Sequence, residues 1–301
     1  MTDTPPRPSF SPIGIGAESH APFAVLPRPA VLFARRAARF AARAEGELAP
    51  YLTFLAAIAA AQAASLRPID PIQADAAARA AEHAMPPIDR IGLKHDQALL
   101  ATVRHFLAVA ADIAMPEAAA EARAGLLADE PRLLQRIADA LEDAVPMDAV
   151  ADFVFAAAGV QVHLAGLAAG LAADILVPVG DGACPCCGGP PVASVVVERA
   201  GAYGARYAVC AACATEWNVV RVKCTLCGST EGIGYHELEG AKNGVQAETC
   251  DHCGLYAKIF AQAENPQLDP VADDVASLGL DIKMVDSAWK RGAVNAFLAG
   301  Y

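Results

Sequence analysis

The sequence predicts an α+β multidomain protein: an N-terminal all-α helical bundle, two tandem small metal modules and a short C-terminal helix. Residues 30–178 are rich in Ala and Leu at helical spacing. All nine cysteines lie between Cys184 and Cys253, where Gly and Val-rich runs replace the helical pattern. A short acidic segment with helical character follows. At roughly 100–200 residues per domain, a chain of 301 residues has room for these units.

The composition excludes several classes of protein. The chain is 55% hydrophobic and 19% charged, which excludes intrinsic disorder. Its formal charge of -11 argues against general nucleic-acid binding, which normally needs a basic surface. A secreted disulfide scaffold would spread its cysteines along a short chain. Cysteines confined to one region of a longer chain instead indicate metal ligation in a reduced protein.

No targeting or membrane segment is predicted. Residues 1–29 form a proline-rich, irregular leader without the apolar core of a signal peptide. Two stretches, Leu48–Leu66 and Phe153–Ala173, are apolar enough to be compared with a membrane span. The second is mostly Ala and Gly and carries Gln161 and His163 at its centre, so we expect a buried core helix. The sequence therefore predicts a soluble, cytoplasmic protein.

The first helix of the region 30–178 has two opposite faces. One is apolar and the other basic. The apolar face comprises Phe33, Ala37, Phe40, Ala44 and Leu48, and the basic face Arg35, Arg36, Arg39 and Arg43. The simpler interpretation of the arginines is a solvated face, and the alternative is a docking surface for an acidic partner. The later helical stretches are separated by short proline-containing breaks, which favour an antiparallel bundle.

The second half divides into three units by composition. Residues 179–222 are predicted as the first metal module, 223–262 as the second and 263–301 as a helical tail. Asp269 and Pro270 are suited to the N-cap and first position of the tail helix.

The cysteines form four C-x-x-C pairs with an internal duplication. Each ligand position of the first unit recurs 40 residues later, so each unit reads C-x2-C-x22-C-x2-C, close to zinc-ribbon spacing. A C-x-x-C turn directs two sulfurs at one ion, and two such turns complete a tetrahedral site. Sequential pairing is favoured over a cross-braced arrangement, which the sequence leaves open. The predicted sites are Cys184, Cys187, Cys210 and Cys213, and Cys224, Cys227, Cys250 and Cys253.

The spacing does not identify the metal. Four thiolates accept zinc, which would be structural, or iron, which would make the modules rubredoxin-like. Cys186 is the ninth cysteine, and we expect an exposed residue that is not a ligand, with exchange for Cys187 as a ligand as the alternative. Two sites filled by four thiolates leave no open coordination position. No hydrolase or phosphate-binding motif accompanies them. The sequence therefore predicts a protein that is not an enzyme.

Several motifs resemble the FdhE family of formate dehydrogenase accessory proteins. The resemblance covers nearly the whole chain and is most specific from Cys184 to Leu278. It departs from the family at Cys186, a variable position, and at Ala296, where the family usually has proline. The matching segments are 184–188, Arg206-Tyr207, 210–213, Thr215-Glu216-Trp217, 219–224, 247–253, Tyr256, Lys258-Ile259, 271–278 and the early Arg35-Arg36-Ala37 with Arg39.

The resemblance implies a function. Family members are cytoplasmic, carry two rubredoxin-like modules with iron as the associated metal, and contact the catalytic subunit of respiratory formate dehydrogenase during assembly or activation. The eight paired cysteines would then hold two iron ions, with zinc as the alternative. A homodimer is one assembly that the sequence allows.

Two other functions remain open from the sequence. A nucleic-acid-binding zinc ribbon would need a basic surface, but residues 181–301 hold nine Lys and Arg against fourteen Asp and Glu. A rubredoxin-like electron carrier would need a reversible one-electron couple at its iron.

Overall fold

The computed structural model describes residues 21–238 and 244–298. Most of the proline-rich leader lies outside these residues, but its last part forms the short strand β1 (Ala24–Val25). The region that was predicted to be helical follows and contains seven α-helices in the described residues. They are α1 (Pro29–Ala42), α2 (Ala49–Ala64), α3 (Ala74–Glu82), α4 (Gln97–Val109), α5 (Glu117–Ala128), α6 (Glu130–Leu141) and α7 (Val150–Ala169).

Helix α7 forms the centre of the helical region. It packs against α4, α5 and α6 and, less extensively, against α1 and α2. Two segments are long and apolar enough to cross a membrane by length and composition, Gly46–Ala64 and Val150–Ala169. In the second segment, 83% of the residues in its most apolar 18-residue window are buried inside the protein, as expected of a core helix. In the first segment, this share is 33%. Leu52, Leu55 and Ile58 of α2 are nevertheless fully buried, and its exposed positions are mostly small residues.

Seven strands from the second half of the chain and β1 together build one eight-stranded sheet rather than two separate ones. Its order is β1-β4-β3-β2-β7-β6-β5, with β8 paired to β7. The strands are β2 (Pro191–Val196), β3 (Arg206–Cys210), β4 (Glu216–Val219), β5 (Ile233–His236), β6 (Val245–Cys250), β7 (Leu255–Ala261) and β8 (Lys290–Arg291).

Each duplicated module contributes three antiparallel strands to this sheet. The first supplies β2, β3 and β4, and the second supplies β5, β6 and β7. The modules join where β2 pairs in parallel with β7, so the first strand of one copy lies beside the last strand of the other. The duplication thus appears in the fold as a head-to-tail continuation of one sheet.

The C-terminal tail contains two short helices where one was predicted, α8 (Pro270–Ala276) and α9 (Leu278–Met284). Asp269 caps α8 as predicted, because its side chain accepts hydrogen bonds from the N–H groups of Val271 and Ala272. Ser277, between the two helices, donates its hydroxyl to the carbonyl of Asp273.

Two of the four arginines on the basic face of α1 are covered, which corrects the simpler interpretation for Arg36 and Arg39, whereas the side chains of Arg35 and Arg43 are 46% and 37% exposed. Arg39 makes a bidentate pair with Asp273 of α8 at 2.8 and 2.6 Å. Arg36 is 3% exposed and lies 3.5 Å from Asp269. The acidic partner is therefore the tail of the same chain, more than 230 residues away in sequence.

Candidate metal centres

The four C-x-x-C turns share one local geometry. In the first turn, the Gly188 N–H donates to the carbonyl of Cys184 and the Cys186 N–H lies 3.4 Å from the Cys184 sulfur. Gly188 has φ +72°, a left-handed conformation that glycine adopts without strain. The residue after the second cysteine has a positive φ in every turn. These residues are Gly188, Ala214, Gly228 and Gly254.

The structure brings the cysteines together in the sequential arrangement. One group contains Cys184, Cys187, Cys210 and Cys213, and the other Cys224, Cys227, Cys250 and Cys253. Within each group, the four sulfurs lie within 4.8 Å of one another. The strands explain this pairing, because β3 and β6 each end at the first cysteine of a turn.

The sulfur positions fit a tetrahedral ion. Four sulfurs about 2.3 Å from one ion lie about 3.8 Å from each other. The Cys184–Cys213 and Cys187–Cys210 sulfur distances are 3.6 and 3.5 Å. The corresponding distances in the second group, Cys224–Cys253 and Cys227–Cys250, are 4.0 and 3.7 Å. Each group could therefore hold one metal ion with every coordination position filled by sulfur.

The surroundings shift the pKa of several of these thiols, and the direction differs within each group. Burial raises the pKa of the Cys184 and Cys213 thiols well above their usual value. In the second group, burial raises the pKa of Cys224 to about 12. Because a metal binds the thiolate, an ion that enters either site must displace protons, and its affinity falls as the pH is lowered.

The helical region encloses the first group. The Ile88 N–H donates to the carbonyl of Cys186 at 3.0 Å. Gln161, buried in α7, donates its amide to the carbonyl of Ala211 in the second turn at 3.0 Å. All four cysteines of this group are buried. The first site therefore lies inside the junction between the helices and the sheet.

Arg90 places a positive charge beside the first group. Its guanidinium donates to Asp143 at 2.6 Å. A Cβ atom at Gly189 would lie 3.0 Å from this guanidinium and 3.5 Å from the Cys187 sulfur. Both groups therefore lie close to the Gly189 backbone. Burial would lower the pKa of Arg90, but Asp143 and the sulfurs of Cys187 and Cys210 outweigh it and raise the pKa.

No pattern near Arg90 in the sequence indicates this role. Its contacts lie 53 and about 100 residues away along the chain. The structure also corrects the expectation for Cys186, which is fully buried rather than exposed. The reason is the Pro86–Arg90 loop, which covers this turn from the helical side.

The second group is more open. Cys227 and Cys253 are half-buried, and His252 in the same turn as Cys253 is exposed. Contacts beside this group are made by residues of the second module and of the C-terminal tail. Trp289 donates its indole N–H to Asp251 at 3.0 Å, and its ring packs on His236 at a centroid distance of 5.2 Å.

Comparison with known proteins places the whole chain in one family. Three family models match in succession: "FdhE, N-terminal" over residues 21–181, "FdhE, central domain" over 183–221 and "FdhE, C-terminal domain" over 222–298. A protein FdhE homolog of Rhizobium meliloti is 46% identical over 308 residues and covers 100% of both chains. A homolog of Cronobacter sakazakii is 36% identical and covers 91% of this chain and 90% of its own.

A solved structure agrees with these sequence relatives. The crystal structure of the FdhE protein from Pseudomonas aeruginosa superposes with a TM-score of 0.82 at 30% sequence identity. The match covers 92% of this chain and 99% of that one. The chain therefore belongs to the FdhE family.

Proposed function

We propose that this protein is a non-catalytic, cytoplasmic accessory factor for the assembly or activation of a respiratory formate dehydrogenase. It binds the catalytic subunit of that enzyme. Its eight paired cysteines hold two metal ions, one per group, with iron expected from the family and zinc as the alternative.

The observation that carries the proposal is the pair of closed four-sulfur sites. A metal that acts as a Lewis acid keeps one position free for water or substrate, but four cysteine ligands leave none. The ions would instead hold the turns, and through them the sheet, in one conformation. Metal ions that stabilise the fold and do not react with a substrate are compatible with a protein that acts by binding another protein.

Anaerobic purification followed by elemental analysis and co-purification tests the proposal. We expect two metal ions per chain, and we expect the formate dehydrogenase catalytic subunit to be retained by the tagged protein. The same tag on an unrelated acidic protein is the control. Fewer than one ion per chain would contradict the metal assignment. Absence of the subunit, with normal formate oxidation in a deletion strain, would contradict the accessory role.

A second candidate function, electron transfer, is favoured by the exposure of the second group. Half-buried Cys227 and Cys253 would bring an iron ion close to the surface. An optical redox titration of the iron form distinguishes the two functions. A reversible one-electron couple at the second site supports electron transfer, whereas metal release on reduction excludes it.

A further inference from the structure

Helix α2 is uncharged, and Tyr51 and Phe54 on one face of it are only partly buried. Its sixteen residues include no charged side chain. Although its span is as apolar as a membrane helix, only a third of it is buried. Single exposed apolar residues are ordinary on protein surfaces, but a contiguous exposed apolar surface indicates an interaction site.

A groove adjoins the N-terminal end of this face. It has a volume of about 540 Å³ and lies between α2, α5 and α7. Phe155 is buried at its floor, and the ring of Phe54 packs edge-on against it at 6.0 Å. Tyr51 stacks on Phe54 at 6.4 Å. Aromatic floors of this kind are typical of sites that take an apolar side chain from a partner.

The exposed carboxylates near the groove have no basic partner among the described residues, whereas the nearby arginines are already bound. No Lys or Arg is among the residues that line the groove. The Arg123 guanidinium of α5 donates to the carbonyl of Leu107, and Arg132 pairs with Asp152 at 2.6 Å. Exposed carboxylates lie next to its lining residues: Glu117 between Pro116 and Ala118, Asp148 two residues before Val150, and Glu47 at the start of α2. An apolar groove with an acidic border complements an apolar segment that carries basic residues at its ends.

The same charges argue against two other occupants. A second copy of this chain, paired about a two-fold axis, would bring the acidic borders together. A bilayer with anionic lipids would repel them. We infer that the α2–α5–α7 groove binds an apolar, Lys- or Arg-flanked segment of a partner protein. This rests on the proposed function in that the partner is taken to be the formate dehydrogenase catalytic subunit.

A matched pair of variants on α5 tests the site. Ala118 lines the groove and is exposed, and Ala124 is exposed on the same helix about 240° further round. Ala118→Arg places a bulky cation in the groove, whereas Ala124→Arg adds the same charge elsewhere. Circular dichroism of both variants checks that the fold is retained.

Binding is measured with two probes: the purified catalytic subunit, and a synthetic amphipathic helix of Leu and Ala with Lys at both ends. We expect Ala118→Arg to lower the affinity for both probes by roughly tenfold or more, because substitutions at the centre of an interface have the largest effects. Ala124→Arg should change them less than about twofold. A peptide with Glu in place of Lys should bind more weakly, and the difference should shrink in high salt.

The outcomes separate this inference from the proposed function. If the catalytic subunit binds both variants equally, the groove is not the docking site although the accessory role stands. If the Lys peptide binds and the subunit does not, the accessory role fails and the groove is retained. Equal binding of Lys and Glu peptides overturns the inference. Two further results overturn the inference: binding to phosphatidylcholine–phosphatidylglycerol vesicles that Ala118→Arg abolishes, and dimerisation in sedimentation experiments that Ala118→Arg abolishes.

Discussion

The two cysteine modules have identical ligand spacing but are attached to the rest of the molecule in different ways. The first is joined to the helices through its metal-binding turns, by Ile88, Arg90 and Gln161. The second is joined through buried ion pairs. Lys258 of its strand β7 binds α8 and α9, and α8 in turn binds Arg39 of α1. The two copies of the duplicated unit thus differ in their junctions: one is formed at metal-binding turns and the other by buried ion pairs.

Loss of a ligand should have the largest effect, and the effect should differ between the modules. Cys187→Ser and Cys253→Ser should each cost one metal ion per chain. Structural zinc sites contribute about 10–16 kcal/mol to the folding of small modules. We expect Cys187→Ser to loosen the helical region as well, because its site lies in the junction, whereas Cys253→Ser leaves the helices intact. Metal analysis and thermal unfolding followed by circular dichroism measure both effects.

Hydrogen exchange then locates the change. The N–H of Ile88 should lose protection in Cys187→Ser and keep it in Cys253→Ser. Equal loss of helix stability in the two variants would show that the first junction does not depend on its ion.

Breaking the charged junction should have the next largest effect and should cost no metal. The ammonium of Lys258 is fully buried and lies 3.1 Å from Asp274 and 2.5 Å from Asp281. Lys258→Met would remove one of the two cations that pair with these carboxylates and leave only Arg291. Removal of one partner from a buried ion pair typically costs about 3–5 kcal/mol. Lys283→Met, at an exposed position of α9, is the control. Urea unfolding with parallel metal analysis should show lower stability in the first variant only, with two ions in both.

The charged junction should also be sensitive to acid. Burial alone would raise the pKa of Asp274, but Lys258 and Arg291 outweigh it and lower the pKa. Because this pKa is lower in the folded state, its contribution to stability is present above about pH 4, the value of an unfolded Asp. It is lost as the pH falls through the lower folded value. Asp274→Asn should therefore flatten the decline of stability below pH 4, and an unchanged decline would contradict this assignment.

Arg90 should affect only the first site, with an intermediate effect. Arg90→Gln leaves Asp143 without its partner and removes the cation beside Cys187, and we expect a cost of about 1–3 kcal/mol. Release of the first ion to a chromophoric chelator should accelerate several-fold, and release of the second should not change. Arg104→Gln removes an exposed pair with Glu130 and should cost less than about 1 kcal/mol. Acceleration at both sites would mean that Arg90 acts on the fold as a whole.

The sequence predicted those features that depend on short stretches of chain. A C-x-x-C turn is closed by its own backbone, so the ligand positions and the 40-residue duplication could be identified without a structure. The cap of α8 at Asp269 is similarly local. The partner of Arg39 could not be identified, because it lies 234 residues away. Arg39 also had a complete local interpretation, as part of a solvated face.

Cys186 shows the same limit within the site itself. Its neighbours in sequence indicate a spare residue in a turn, and a turn on the surface would expose it. The Pro86–Arg90 loop buries it instead, and this contact depends on how the helical region packs on the sheet. Long-range packing of this kind leaves no signal in the spacing of the cysteines.

The smallest effect is expected for Cys186→Ser, which compares a buried cysteine outside the predicted ligand set with its neighbour Cys187. Four sulfurs already complete the first group without Cys186. We therefore expect Cys186→Ser to retain both ions and to lose about 1–2 kcal/mol, because a hydroxyl replaces a thiol at a fully buried position. Metal analysis and urea unfolding, with Cys187→Ser as the variant that loses an ion, provide the measurement. Loss of one ion from Cys186→Ser would make Cys186 a ligand, and the first site would then differ from the second in its sulfurs as well as in its attachment.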